Sequence, residues 1–233
     1  MRIWSILLIF LLGSWLTAQE IIGRDLLEKA ITFHDPNQNW NAFNGTFQVK
    51  MQTPNSADRI STISLDFPNS KFALEVSKEE DTYAYALKED ECVITLNGSA
   101  DISKADQERL RLSCDRGKMY RNYYSYLYGL PMKLKDKGTI IHEKIERKTF
   151  KDKEYLVLKA TYDKSVGGDT WYFYFDPKTY AMEVYQFFHD ESKNDGEYIL
   201  LSGMETVEGI RMPKTRKWYY NKDDKYLGAD ILN

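Results

Sequence analysis

The chain of 233 residues carries 42% hydrophobic side chains, enough for one domain with a sizeable core or at most two small ones. Its 32 basic and 35 acidic side chains give a net charge of −3, and the two signs are interspersed along the chain. Because no basic stripe is present for phosphate groups, nucleic acid is excluded as an expected partner.

The amino-terminal segment has the pattern of a secretory signal peptide. A basic start at Arg2 precedes an apolar run over residues 3–16 and the small residue Ala18. The run is shorter than the ~20 apolar residues of a spanning helix, and an uncleaved anchor is the alternative. We predict that residues 1–19 are removed. Residues 20–233 then form one domain that does not span a membrane and is periplasmic or secreted.

The first half predicts an amphipathic helix followed by short, locally connected strands. Leu26, Ala30 and Phe33 recur at helical spacing within residues 21–34, and Pro36 ends that helix. Alternating apolar residues separated by turn residues then predict strands. These strands are expected at residues 42–51, 60–67, 71–76, 82–87 and 91–96.

The chain has two cysteines, Cys92 and Cys114. In an exported protein an even pair most simply forms a disulfide, and two buried free thiols are the alternative. A metal site built on two cysteines so far apart, without a neighbouring histidine, is not expected. We therefore predict a Cys92–Cys114 disulfide.

The middle of the chain is predicted to be helical and the last third to be a strand meander. Strong helix formers cover residues 104–112, and a tyrosine-rich stripe covers residues 118–128. Two strands follow within residues 139–150 and 155–162, and several more lie between residues 170 and 220.

The late strands are apolar on both faces, unlike strands of a sheet with one solvated side. Trp171 and Phe173 share one face, whereas Tyr172 and Tyr174 share the other. Each aromatic side chain removed from water hides about 150–250 Å², so exposing several would be costly. The helices, a partner protein or a bound apolar ligand must therefore cover the second face.

The ligand hypothesis names specific residues, although the sequence does not decide which strand face points inward. The concave side would be lined by Trp171, Phe173, Phe175, Tyr185 and Phe187. The helical lid would contribute Tyr123, Tyr124 and Leu127. Tyrosine suits such a lip because its ring is apolar and its hydroxyl can remain hydrated.

The sequence offers no catalytic constellation. No HExxH, CxxC, GxSxG, P-loop or GxGxxG pattern occurs. The His34-Asp35 and His189-Asp190 pairs have residue types that can serve a hydrolase or a metal enzyme. Such dipeptides more often end a helix or a strand, so no catalytic residue, metal or cofactor is predicted.

Several motifs resemble a family of small exported bacterial proteins of unassigned function. These motifs are His34-Asp-Pro36 with Trp40, Cys114-Asp-Arg-Gly-Lys-Met-Tyr120, Tyr128-Gly-Leu-Pro-Met-Lys133, Tyr174-Phe-Asp-Pro177 and Val207-Glu-Gly-Ile-Arg-Met-Pro213. The order of helices and strands is also similar to that of the periplasmic lipoprotein-localisation (LolA-like) carriers.

This resemblance implies an α+β fold. In it, a curved antiparallel half-barrel sheet of about 10–11 strands has helices covering its concave face. It also implies carriage of an apolar small molecule, a lipid or a lipoprotein, without catalysis. A protein-interaction or scaffold module of the cell envelope, with a filled core, is the alternative.

Overall fold

The computed structural model describes residues 21–89 and 91–233, and the predicted signal peptide, residues 1–19, lies outside this part. The α-helices are α1 (Gly23–His34), α2 (Lys104–Leu110) and α3 (Cys114–Gly129). The strands are β1 (Asn44–Gln52), β2 (Arg59–Asp66), β3 (Lys71–Lys78), β4 (Asp81–Lys88), β5 (Glu91–Leu96), β6 (Thr139–Ile141), β7 (Glu146–Phe150), β8 (Lys153–Tyr162), β9 (Thr170–Phe175), β10 (Met182–Phe188), β11 (Glu197–Val207), β12 (Ile210–Tyr220) and β13 (Tyr226–Leu232).

The strands form one curved antiparallel sheet, which confirms the predicted fold class. Their order is β5-β4-β3-β2-β1-β13-β12-β11-β10-β9-β8-β6, and β7 also pairs with β8. Within the described residues, β5 and β6 end this order, so the sheet is not closed on itself. A half-barrel of this kind leaves one concave face for the helices to cover.

The sheet has 13 strands rather than the predicted 10–11. Residues 139–150 do not form one strand, because β6 and β7 pair with different halves of β8. Between residues 170 and 220, where several strands were predicted, Glu208 and Gly209 form a turn in which both residues have positive φ. This turn joins β11 to β12.

The last strand, β13, was not predicted, and it joins the two halves of the sheet. Leu232 pairs with Val49 of β1, and Ile231 pairs with Thr215 of β12. The amino-terminal meander and the carboxyl-terminal meander therefore share one continuous concave face.

Helix α3 lies on the concave face and is fixed at both ends. The hydroxyl of Ser113 caps its first turn by accepting the Arg116 N–H. The predicted disulfide is confirmed: Cys114 at the start of α3 is bonded to Cys92 of β5. At the other end, a Cβ on Gly129 would lie 2.2 Å from the Trp40 ring, so only glycine permits this approach.

The convex face of the late strands is covered by the chain itself. Tyr155, Val157, Tyr174 and Val184 form a small buried cluster there, and Phe150 of β7 packs against it. Lysine side chains lie over the tyrosine rings, as Lys153 does 5.5 Å from the centre of Tyr155. The tyrosine-bearing face therefore needs no external partner.

His34 ties α1 to two strands. Its Nδ1 lies 2.7 Å from the Arg211 carbonyl oxygen, and its Nε2 accepts the Met182 N–H at 3.0 Å. Because Nε2 accepts, the ring proton is on Nδ1. Burial lowers the pKa of His34 to about 4, and the positive charges of Arg216 and Arg211 act in the same direction.

Asp35 completes this junction as a backbone cap. Its carboxylate accepts the N–H groups of Asn39 and Trp40 at 2.8 and 2.9 Å. The His34-Asp35 pair is therefore structural, because the backbone occupies both ring nitrogens and both carboxylate oxygens.

Loss of the disulfide should lower stability through the unfolded state. For a separation of 22 residues, loop closure contributes about 3 kcal/mol to the free energy of unfolding. We expect the variant with Cys92→Ala and Cys114→Ala to lose about this amount in urea denaturation followed by circular dichroism. Wild-type protein in reductant should match the variant, and equal denaturation midpoints for variant and oxidised wild type would contradict the prediction.

The His34 junction should make stability depend on pH. The pKa of His34 is about 4 in the folded protein, against an unfolded value of 6.5. The stabilisation is therefore complete above pH 6.5 and is lost as pH falls towards 4, on the order of 3 kcal/mol in total. His34→Gln should be less stable at neutral pH and should lack this slope in urea denaturation.

His189→Gln is the matched control for this pH dependence. The hydrogen bond that His189 donates to the Asp169 carboxylate raises the pKa of the exposed His189, so its protonation does not oppose folding. The acid-dependent loss of stability should persist in His189→Gln. Persistence of the same slope in His34→Gln would assign it to other groups.

Candidate ligand-binding face

Strand register places the five aromatic residues predicted to line the concave side on one face of the sheet, and we call these five residues the aromatic floor. Trp171 of β9 lies opposite Phe187 of β10, Phe173 lies opposite Tyr185, and Phe175 lies opposite Met182. The same face carries residues that pack with the helices in the main core cluster. The structure therefore brings the five predicted side chains together on the concave face.

The exposure of the floor residues decreases from one end of the aromatic floor to the other. Phe173, Phe175 and Tyr185 are fully buried, whereas Trp171 and Phe187 are partly exposed. The Trp171 and Phe187 rings stack with their centres 4.8 Å apart. We call this half-exposed end, formed by Trp171 and Phe187, the rim.

The predicted lid residues lie on α3 but differ in exposure. Tyr124 and Leu127 are buried beneath the helix, whereas Tyr123 is 38% exposed at its side. Tyr128, which was not predicted as a lid residue, is buried and packs against Phe47 of β1. The spacing of Tyr128 from Tyr124 could have identified it as a lid residue, since residues four apart share a helix face.

A cleft lies between α3 and the strands that carry the rim. It has a volume of about 500 Å³ and is bordered by Tyr126 of α3, Tyr162 of β8 and Trp171. The hydroxyls of Tyr126 and Tyr162 touch across it. The backbone of α3 lies close to β3, β4 and β5. Towards the rim, the aromatic side chains of Tyr126 and Trp171 fill the space between the helix and the sheet.

A charged row crosses the concave face beneath α3. Cross-strand pairing sets Arg59 of β2 opposite Met51, Met51 opposite Asp230 of β13, and Asp230 opposite Arg216 of β12. We call these four residues the arginine row. Its charged members were not predicted, because single polar residues in strand patterns carry no distinguishing signal.

Helix α3 contacts the arginine row through two tyrosines one turn apart. An Nη of Arg59 donates to the Tyr124 hydroxyl at 3.3 Å. The Arg216 guanidinium lies 3.9 Å from the centre of the Tyr128 ring, and its Nη1 donates to the Pro213 carbonyl at 2.8 Å. The helix therefore rests partly on a polar surface.

Several polar atoms buried at this interface have no hydrogen-bond partner among the described residues. They are Arg59 Nε, Ser61 Oγ, Arg216 Nε and the hydroxyls of Tyr85, Tyr128 and Tyr185. Each such group costs ~1–3 kcal/mol when it is removed from water unpaired. The closed arrangement of helix and sheet is therefore less stable than an apolar core of the same shape.

Burial changes the pKa values of the ionisable side chains at this interface. It raises the pKa of Tyr128 and of Tyr185, and in both cases Arg216 opposes the shift while Asp230 adds to it. Burial also raises the pKa of Asp230, against the attraction of Arg216 and Arg59. These mutual effects place the five groups within one electrostatic neighbourhood.

The histidine of the His189-Asp190 pair lies outside the buried interface. His189 is exposed, and its Nδ1 lies 2.7 Å from an Asp169 carboxylate oxygen near the rim. Within residues 21–89 and 91–233, no three His, Cys, Asp or Glu side chains are placed to hold a metal ion. No helix in the described part of the chain is long and apolar enough to cross a membrane.

Comparison with solved structures identifies the fold. A LolA superfamily protein from Nitrosomonas europaea has 12% identity over 92% of each chain, with a TM-score of 0.52. A putative outer membrane lipoprotein-sorting protein domain from Vibrio parahaemolyticus has 10% identity, coverage of 91% and 89%, and a TM-score of 0.49. A DUF1329 family protein from Desulfovibrio piger has 8% identity over 92% of each chain and a TM-score of 0.44.

At this identity the first likeness shows a shared fold. No curated protein matches the chain. Residues 2–232 match a family described as a family of unknown function, DUF6503.

Proposed function

This chain belongs to the DUF6503 family, and we propose that it is an exported, non-enzymatic carrier of an apolar ligand. The ligand would be a lipid or the acyl chain of a lipoprotein, held between α3 and the concave face. The observation that supports this most is the aromatic floor, which runs without interruption from the half-exposed Trp171 and Phe187 to the buried Phe173 and Tyr185.

Binding requires α3 and the rim strands to separate, because the floor is covered in the closed arrangement. An acyl chain gains about 0.8 kcal/mol for each methylene that it buries. Ten methylenes therefore offer ~8 kcal/mol, comparable to a micromolar dissociation constant before the costs of opening and immobilisation. The unpaired polar atoms beneath α3 lower the cost of opening, since separation returns them to water.

The LolA superfamily fold suits this role, because helices cover a curved sheet from one side. Export is supported by the signal-like residues 1–19 and by the Cys92–Cys114 disulfide, which is typical of oxidising compartments. We place the protein in the periplasm or outside the cell. Its lack of catalysis is supported by His34, both of whose ring nitrogens bond the backbone.

Neighbouring phenylalanines on opposite faces test the carrier assignment. Phe187 lies on the concave rim and Phe188 on the convex face, and both are partly exposed. We expect wild-type protein to bind cis-parinaric acid saturably, with increased probe fluorescence. Phe187→Ala should weaken binding about tenfold, since it removes apolar contact worth ~1.4 kcal/mol or more.

Phe188→Ala is the matched control and should bind as wild type does. Unlabelled fatty acid should displace the probe, which would show that both molecules bind to the same site. Absence of saturable binding to wild-type protein would refute the carrier assignment. An equal loss in both variants would show that the concave rim is not the site.

The route of entry can be tested by bridging the cleft. Tyr126→Cys and Tyr162→Cys place thiols on α3 and β8, and the native cysteines are already paired. We expect cross-linking with a bifunctional maleimide to slow probe uptake at least tenfold. The same double variant without cross-linker is the control, and unchanged uptake after cross-linking would exclude entry between α3 and β8.

A further inference from the structure

Arg216 is a buried cation that forms no direct ion pair among the described residues, although Asp230 lies opposite it on β13. It is 1% exposed, and no carboxylate oxygen lies within 4.0 Å of its guanidinium in the described part of the chain. Within the described residues, its Nη1 donates to the neutral Pro213 carbonyl, and its Nε has no partner. A buried guanidinium is normally paired, because removing an isolated charge from water is unfavourable.

Other unpaired donors lie in the same neighbourhood as Arg216. The Tyr128 ring is beneath the guanidinium, and the charges of Arg216 and Asp230 both affect the pKa of Tyr185. The hydroxyls of Tyr128 and Tyr185, together with Arg59 Nε, have no partner in residues 21–89 and 91–233. Two guanidinium groups and two phenol hydroxyls are a donor set suited to carboxylate or phosphate oxygens.

The net charge of the arginine row also favours an anion. Arg59 and Arg216 contribute two positive charges, and Asp230 between them contributes at most one negative charge. Burial raises the pKa of Asp230, and the positive charges of Arg216 and Arg59 oppose that shift.

The register places the arginine row beside the buried part of the aromatic floor rather than at the rim. Arg216 pairs with Leu201 of β11, whose neighbour Leu200 pairs with Val184 of β10. Val184 in turn pairs with Tyr174 of β9, next to Phe175, whereas the rim residue Phe187 pairs with Glu197. A polar group held at Arg216 would therefore lie deep on the concave face, with room for an apolar tail along the floor past Phe173 towards the rim.

We propose that Arg59, Arg216 and the hydroxyls of Tyr128 and Tyr185 bind the anionic headgroup of the carried ligand, a carboxylate or a phosphate. The inference rests on the proposed carrier function and adds the chemical class of the ligand's polar end. The aromatic floor takes the tail, and the arginine row selects ligands that carry an anion.

Paired ligands that differ only in headgroup charge test this site. Oleate is compared with oleyl alcohol, and dioleoyl phosphatidate with dioleoylglycerol, by titration of tryptophan fluorescence on the full protein. We expect wild-type protein to prefer the anion at least tenfold in one or both pairs. The pair that shows the preference distinguishes a carboxylate source from a phosphate source.

Tyr185→Phe is the informative variant, because it removes only an unpaired hydroxyl. Unfolding in urea should show stability equal to or above that of wild type, whereas affinity for the preferred anion should fall about tenfold and affinity for its neutral partner should not. Arg59→Gln should reduce the same preference. Both results together support the site.

Tyr174→Phe is the matched control on the convex face. The Tyr174 hydroxyl donates to Gln186 at 2.6 Å, so its removal should lower stability and leave ligand preference unchanged. Equal affinities for charged and neutral ligands would overturn the anion site and leave the carrier function standing. An anion preference that survives in Tyr185→Phe and Arg59→Gln would overturn the assignment to these residues, and binding of no ligand would refute both proposals.

Discussion

The pairing of β13 with both β1 and β12 is the constraint on which the candidate site depends. Without this strand, the two meanders would form separate sheets with separate apolar faces. Through it, Asp230 comes to lie between Met51 and Arg216, and the arginine row becomes continuous. The same strand lets one core extend from Tyr85 of β4 to Phe173 of β9. A curved face of this width is what gives α3 a surface to cover.

The contact between α3 and this face combines strong and weak parts. Its ends are held by the Cys92–Cys114 disulfide and by the close approach of Gly129 to Trp40. Its middle rests on arginines and tyrosines, several of whose polar atoms are unpaired among the described residues. Unpaired polar groups destabilise a closed interface but not an open, hydrated one. A helix fixed at its ends and weakly held between them fits a cover that yields to a ligand.

Apolar surface on both sides of the late strands has two different explanations in the structure. The convex aromatic residues, including Tyr155 and Tyr174, are covered by Phe150 and by lysine side chains. The concave ones, including Phe173 and Tyr185, are covered by helices and continue to the half-exposed rim. The excess of aromatic residues therefore reflects a filled outer cluster as well as the proposed ligand floor.

Local patterns in the sequence were sufficient for most of the elements. Helical spacing around Leu26, alternation around Ile63 and the cysteine pair predicted α1, β2 and the disulfide, because each signal lies in neighbouring residues or in composition. The β13 strand was missed because Gly228 and Asp230 interrupt its apolar pattern, and its pairing partners are distant in sequence.

The sequence by itself determined the α+β class, the tyrosine-rich helix and which aromatic residues share a strand face. Tertiary structure alone decided that Trp171 and Phe187 face inward, that Tyr128 rather than Tyr123 is fully buried, and that His34 bonds only the backbone. It also decided that Arg59, Asp230 and Arg216 lie in one cross-strand row. Period and propensity act over a few residues, whereas these positions depend on strand register between segments far apart in the chain.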